Sequence, residues 1–206
     1  MQKVTVMTPV YNRAHTIDRL YQSLLRQTDQ RFDWLIIDDG STDRLCDLVD
    51  MWECDAKRIF EMKYVYRENG GKHRAWNKAL PIIDGEWTFV VDSDDFLTDD
   101  AIEKIYGWIS MVEEDTLFAG VSGKKGGLNG EDTVGAFPKG KKFVDADNLH
   151  RHSAHLTGDM AEVYRTSVLR KYPFPEFEGE KFIAENAVFG RIARDGLKLR
   201  WFPDVI

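Results

Sequence analysis

Cysteine is almost missing from this 206-residue chain, which has only Cys46 and Cys54. Both fall in one helical pattern, where eight residues span about 12 Å, beyond the reach of a disulfide. Neither belongs to the paired Cys or Cys/His spacing of a zinc site. They read as reduced thiols. Positive charge is also in the minority, with 28 Lys and Arg against 35 Asp and Glu and a net charge of −7. A surface globally suited to nucleic acid is therefore excluded. No apolar run approaches the roughly 20 residues of a membrane-spanning helix, and Met1-Gln2-Lys3 leads into a strand without a signal-peptide pattern. The default expectation is a cytoplasmic protein. Hydrophobic residues at 43% and charged residues at 31% complete an ordinary soluble composition, and the length suits one domain, 1–206, with one sizeable core.

The apolar pattern alternates between two periods. Val4 to Val10 is short and β-branched, as a buried strand should be, although Pro9 argues against a ladder interior at its end. Thr16 is placed to cap a helix whose apolar residues Ile17, Leu20, Tyr21, Leu24 and Leu25 share one face. Trp34-Leu35-Ile36-Ile37 is the next strand. A second helix is marked by Leu45, Leu48, Val49 and Trp52, and a third strand by Tyr64-Val65-Tyr66. A third helix runs from Ala75 to Ile83, ended by Gly85, before strand four, Trp87 to Val91. Asp99 and Asp100 suit the positive end of a fourth helix continuing through Val112. Strand and helix in alternation predict an α/β fold with a doubly wound parallel sheet. After Gly120, glycines and lysines from Gly123 to Lys142 break the periodicity and predict a mobile loop or hairpin. A last helix near Glu185 to Asp195 precedes a strand at Leu197 to Phe202.

Ligands of open parallel sheets sit beyond the carboxyl ends of the strands, and there the polar residues of this chain collect. Strand one ends in Thr8-Pro9-Val10-Tyr11-Asn12, strand two in Asp38-Asp39, and strand four in Asp92-Ser93-Asp94-Asp95. These ends should converge on one crevice. Crowded carboxylates repel one another unless a divalent cation separates them, and Mg2+ or Mn2+ held by one or two carboxylates completes its shell with phosphate oxygens. Asp39 can accept from a base N–H, and Tyr11 can contact a ring. Asn69-Gly70-Gly71-Lys72-His73-Arg74-Ala75-Trp76-Asn77 opens into a helix, where glycines, helix N–H groups and the charges of Lys72 and Arg74 favour a diphosphate. This segment matches neither the P-loop nor the dinucleotide fingerprint.

The order and spacing of four segments resemble a family 2 glycosyltransferase of GT-A fold over nearly the whole chain. They are Thr8 to Asn12, Ile37 to Asp43, Asn69 to Asn77, and Asp92-Ser93-Asp94. The resemblance implies a nucleotide-sugar-binding half, 1–115, and a smaller mixed acceptor-side half, 116–206, that stops short of the family's usual length. It implies donor contacts at Pro9, Tyr11, Asp39, Gly71, Lys72, Asn77, Asp92 and Ser93, with Asp39 at the base. Asp92 and Asp94 would form the Asp-X-Asp motif that holds Mg2+ or Mn2+, Asp94 more directly. The implied donor is a nucleotide-diphospho-sugar, UDP-linked by preference, and the acceptor a glycan or lipid-linked hydroxyl in envelope or capsular polysaccharide synthesis. Reaction would invert the anomeric centre. The family's late Glu-Asp pair is Glu185-Asn186 here, a departure that leaves Glu185 as the expected general base, since one carboxylate within reach of the hydroxyl suffices.

Other readings of the same residues stay open. Asp38-Asp39-Gly40-Ser41 also fits a strand-end turn. His150, His152 and His155 sit close enough to supply a metal ligand, but without cysteine or carboxylate at metal spacing they read as loop residues. Gly158-Asp159-Met160 borders the acceptor site by analogy with the family. Lys139, Lys141 and Lys142 suit either a solvated loop or peripheral contact with an anionic membrane. Asn186 leaves room for a protein that binds nucleotide sugars without transfer. A phospho-receiver also gathers aspartates and a lysine at strand ends, but in an arrangement that this motif order does not match.

Overall fold

The computed structural model describes residues 3–127 and 135–206. β1 (Val4–Val10), β2 (Phe32–Asp38), β3 (Glu61–Tyr66) and β4 (Trp87–Val90) alternate with α1 (Ile17–Leu25), α2 (Leu45–Glu53) and α3 (Lys72–Ala79). Then come α4 (Ala101–Ile109), β5 (Phe118–Lys124), β6 (Val144–Ala146), β7 (Met160–Arg165), α5 (Thr166–Leu169), α6 (Asn186–Arg194) and β8 (Lys198–Val205). The strands form one sheet in the order β3-β2-β1-β4-β7-β5-β8-β6. β1 to β4 pair in parallel. β7 runs antiparallel to both β4 and β5, β8 pairs in parallel with β5, and β6 closes the edge antiparallel to β8. The first half is the expected parallel sheet and the second half is mixed.

Strand periodicity explains why both faces are covered. Successive strand residues point to opposite faces, so Val4, Val6 and Val10 of β1 and Phe32, Trp34 and Ile36 of β2 enter one core, with α1, α2 and α4. Met7, Leu35 and Ile37 enter the other, with α3, α5 and α6. Tyr21 stacks on Trp52 at 4.7 Å between ring centroids, tying α1 to α2. Ile102, Ile105 and Ile109 of α4 are buried, and each such side chain stabilises the fold by about 1.5–3 kcal/mol. The sheet grows in both directions from β1, with β2 on one side and β4 on the other. That switch point is where a crevice opens beyond the strand ends.

Several local expectations are corrected. Pro9 lies within β1, paired with Ile37 of β2, and it escapes a ladder conflict because pairing with β4 stops at Met7. Thr16 occupies the cap position of α1 without capping it, since its hydroxyl donates to Arg13 O at 3.2 Å. α3 ends at Ala79 rather than Ile83, as Pro81 requires, and α4 stops at Ile109 rather than Val112. The largest correction is β5, which runs on through Gly123 and Lys124, where a loop or hairpin was expected to begin. A Cβ on Gly120 would lie 2.1 Å from Val163 O, and one on Gly123 would lie 2.6 Å from the Trp108 ring. Both glycines permit close approach within the sheet. The rest of the predicted loop includes residues 128–134, which lie outside the described residues.

Candidate active site

Two loops meet at the β1/β2 side of the crevice. Asn12 adopts φ +52, a left-handed conformation that asparagine tolerates. Its N–H donates to Ser41 Oγ at 2.9 Å, and its Oδ1 accepts from Thr42 N at 2.8 Å. Asp38 accepts from Ser41 N at 2.7 Å and from the Tyr64 hydroxyl, so it organises the turn. Asp39, buried, accepts from Gly71 N at 2.7 Å, Gly70 N at 3.1 Å, Asn69 Nδ2 at 3.2 Å and the Arg67 guanidinium. One carboxylate thus shapes the Gly-Gly turn. Gly71 has φ +98, and a Cβ there would lie 1.9 Å from Lys181 O, so only glycine fits.

A cleft of about 330 Å3 brings together Pro9, Val10, Tyr11, Arg13, Asp39, Lys72, Asp92, Ser93 and Asp94. Gly71 is not among the lining residues, and it touches the cleft wall only through its N–H bond to Asp39 at 2.7 Å. Asn77 stands apart from these lining residues. Its Nδ2 donates to Phe174 O at 2.9 Å and to Glu176 Oε1 at 2.7 Å, while its Oδ1 accepts from Phe174 N at 2.8 Å, so its amide holds the chain after α5. Arg74 likewise turns to that segment. It donates to Phe177 O at 2.6 Å, Glu180 O at 3.1 Å and Glu176 Oε2 at 3.3 Å, rather than facing the crevice as its sequence position suggested.

Lys72 joins the two halves. Its Nζ lies 2.7 Å from Asp92 Oδ1 and 2.8 Å from Glu185 Oε1. Burial works against its charge, but Asp92 and Glu185 outweigh burial and hold the ammonium above its ordinary pKa. Arg13 lies 3.9 Å from Asp94, whose backbone carbonyl accepts from Arg19. Lys125, following β5, pairs with Asp95 at 2.8 Å, and Asp95, Asp92 and Asp159 together raise it despite burial.

A second hollow, about 510 Å3, adjoins the first through Asp92. Its lining includes Lys125, Asn148, Arg151, Asp159, Glu162 and Glu185. His152 also reaches it, whereas His150 is paired with Asp147 at 2.9 Å. Sequence reasoning missed Lys125, Arg151 and Glu162. Glu162 was legible only as a lone acid interrupting the apolar strand Met160–Arg165, a signal hidden until β7 is recognised.

Among the described residues no group of three His, Cys, Asp or Glu side chains could hold a metal ion by itself. Asp92 and Asp94 nevertheless line the cleft with side chains 36% and 51% exposed. Two accessible carboxylates fit Mg2+ or Mn2+ that draws its remaining ligands from water and phosphate.

The profile of Glycosyl transferase family 2 matches residues 5–172. The chain belongs to that family. Poly(ribitol-phosphate) beta-N-acetylglucosaminyltransferase TarS of Staphylococcus aureus is 28% identical over 193 residues, covering 92% of this chain and 32% of TarS. Glycosyltransferase GlyG of Streptococcus pneumoniae is 29% identical over 115 residues, covering 55% of this chain and 37% of GlyG. The chain therefore spans about a third of the length of either relative. The structure of S. aureus TarS 1-349 in complex with UDP shares the fold at a TM-score of 0.75 and 24% identity, covering 99% of this chain and 58% of that one. A mannosyltransferase from Pyrobaculum calidifontis, in complex with GDP-Man and Mn2+, matches at a TM-score of 0.67 and 19% identity, covering 99% of this chain and 55% of that one. The α/β fold is thus that of these GT-A glycosyltransferases.

Proposed function

We propose that the chain transfers a sugar from a nucleotide-diphospho-sugar to a hydroxyl acceptor, with inversion, assisted by a divalent cation. The carrying observation is the Asp92–Lys72–Glu185 bridge, which joins the cleft suited to a donor to the hollow suited to an acceptor. Tyr11 and Asp39 line the nucleotide end, and Pro9 and Ser93 the walls between. Asp92 and Asp94 would hold Mg2+ or Mn2+, which supplies charge neutralisation for the diphosphate leaving group. Lys72 sets a second positive charge beside it. Glu185 accepts the proton of the attacking hydroxyl, whose oxygen bonds to the anomeric carbon as the bond to the diphosphate breaks.

UDP in one structural neighbour and GDP-Man with Mn2+ in another support a nucleotide sugar, and we favour a UDP-linked one. TarS, named for poly(ribitol-phosphate), supports an envelope glycan as acceptor. Among the described residues no helix is long and apolar enough to cross a membrane. Lys139, Lys141 and Lys142 are exposed, as a solvated loop requires and as peripheral contact with anionic lipid would allow.

Turnover is the test. Glu185→Gln is expected to lower kcat at least about a hundredfold, within the range for general bases, while calorimetric affinity for the donor persists. Unchanged turnover removes Glu185 from its role. A second reading, a nucleotide-sugar binder without catalysis, is favoured by Asn186 beside Glu185. Donor binding by the native chain without product formation under any acceptor would select it.

A further inference from the structure

We propose that Glu162 binds a second hydroxyl of the acceptor beside the one that reacts, so that the hollow around it takes a polyhydroxylated molecule, a saccharide or a polyol. The inference rests on the glycosyl-transfer reading.

Glu162 sits in β7, an interior strand flanked by β4 and β5, one residue past the last β4 pair, Phe89 with Val163. Its neighbours Ala161 and Val163 point into one core and Tyr164 into the other. By alternation Glu162 faces the side of Tyr164, whose ring stacks on Phe189 of α6 at 4.9 Å. An acid in such a strand is costly unless paired or used. Among the described residues Glu162 forms no ion pair, and its one side-chain hydrogen bond is accepted at Oε1 from Asn148 Nδ2 at 3.0 Å. Asn148 is steadied in turn by the Tyr164 hydroxyl, which donates to its Oδ1 at 3.4 Å. Oε2 is left for something in the hollow.

The surroundings define the ligand chemistry. Arg151 and His152 from the turn before β7, Lys125 after β5, Asp159 at the foot of β7, Asp92 after β4 and Glu185 before α6 ring the space. Both signs of charge are present, so neither an anion nor a cation is selected. Arg151 donates to Gly158 O at 3.2 Å and, among the described residues, forms no ion pair with Glu162. Leu149 and Phe189 add apolar wall. Polar groups able to donate and accept, set against an apolar wall, suit a hydroxyl-rich molecule. Burial, with Glu185 adding to it and Arg151 opposing it, pushes the Glu162 carboxyl up to about 7. A carboxyl that carries its proton near neutrality both donates to and accepts from a hydroxyl.

The test uses the chain with the nucleotide sugar that binds it best and Mn2+, measuring nucleoside diphosphate release against rising ribitol and rising N-acetylglucosamine, with water alone as background. Saturable acceleration by ribitol names a polyol, and by N-acetylglucosamine a saccharide. Glu162→Ala is expected to raise the KM of the effective probe about tenfold, the worth of a lost hydrogen bond, while the calorimetric Kd for the nucleoside diphosphate stays within about twofold. Glu162→Gln keeps the hydrogen bonds of the protonated acid and should hold KM within about threefold of the native value. Where Glu162→Ala does not fold, Glu162→Met carries the same expectation. No acceleration by either probe overturns the inference, as does an unchanged KM in the apolar variant. No nucleotide-sugar binding at all overturns the transfer reading instead.

Discussion

Asp94 is half exposed and weakly paired, 3.9 Å from Arg13, while Asp92 has one oxygen committed to Lys72. Asp94 is therefore the freer of the two proposed cation ligands. On the proposed reading Mn2+ raises the native chain's affinity for a nucleoside diphosphate, and Asp94→Asn should erase that gain. Calorimetry with Mn2+ and with chelator measures it, and equal native affinity in both would end the cation's part. Glu162 makes a separate prediction about pH. Its folded pKa, about 7, lies above the ordinary 4.5, so between those values the folded chain binds more protons than the unfolded chain. Stability from this group is present below about 4.5 and is lost as pH rises through about 7. Glu162→Gln should flatten the fall in melting temperature between pH 5 and 7.5, and a slope equal to the native one would contradict the burial argument.

At the scale of elements, α3 is a double-sided anchor. Its amino end receives the turn shaped by Asp39, and Arg74 and Asn77 fasten the segment 174–180 that leads toward Glu185. Arg74→Ala removes bonds to Phe177 O, Glu180 O and Glu176. Faster amide exchange across 174–185, with kcat lowered about tenfold or more and donor Kd little changed, is the expected result. Unaltered exchange there would show that Asn77 suffices. The same element explains what the sequence could and could not disclose. Tyr11, Asp39 and Asp92 to Asp94 were readable because they follow strongly apolar strands, and Pro9 because it stands near the end of one, at the carboxyl ends that the topology gathers. Arg74 and Asn77 looked like ligand contacts because nothing in their spacing reports a partner about a hundred residues away. β5 was unreadable because its glycines are demanded by Val163 and Trp108, neighbours only in three dimensions. β6, with three residues, is too short to carry a period.

Across the whole molecule, two cores on opposite faces hold one sheet, so a ligand seated at the strand ends should be felt by the entire fold. A nucleotide sugar with Mn2+ at a hundredfold excess over Kd stabilises by about 2.7 kcal/mol. For a chain of this size that corresponds to a rise of roughly 5–10 °C in melting temperature. A thermal-shift series over uridine, guanosine and adenosine diphosphates and their sugars would identify the preferred base by the largest rise, and a flat response to all of them would count against the donor cleft.

The two adjoining hollows share Asp92 in their walls and otherwise draw on different stretches of chain. Asn148, Leu149, Arg151 and His152 touch only the hollow on the far side from Tyr11 and Asp39. If the proposed transfer reading holds, randomising those four positions would retarget what is glycosylated while the choice of activated sugar stays as inherited.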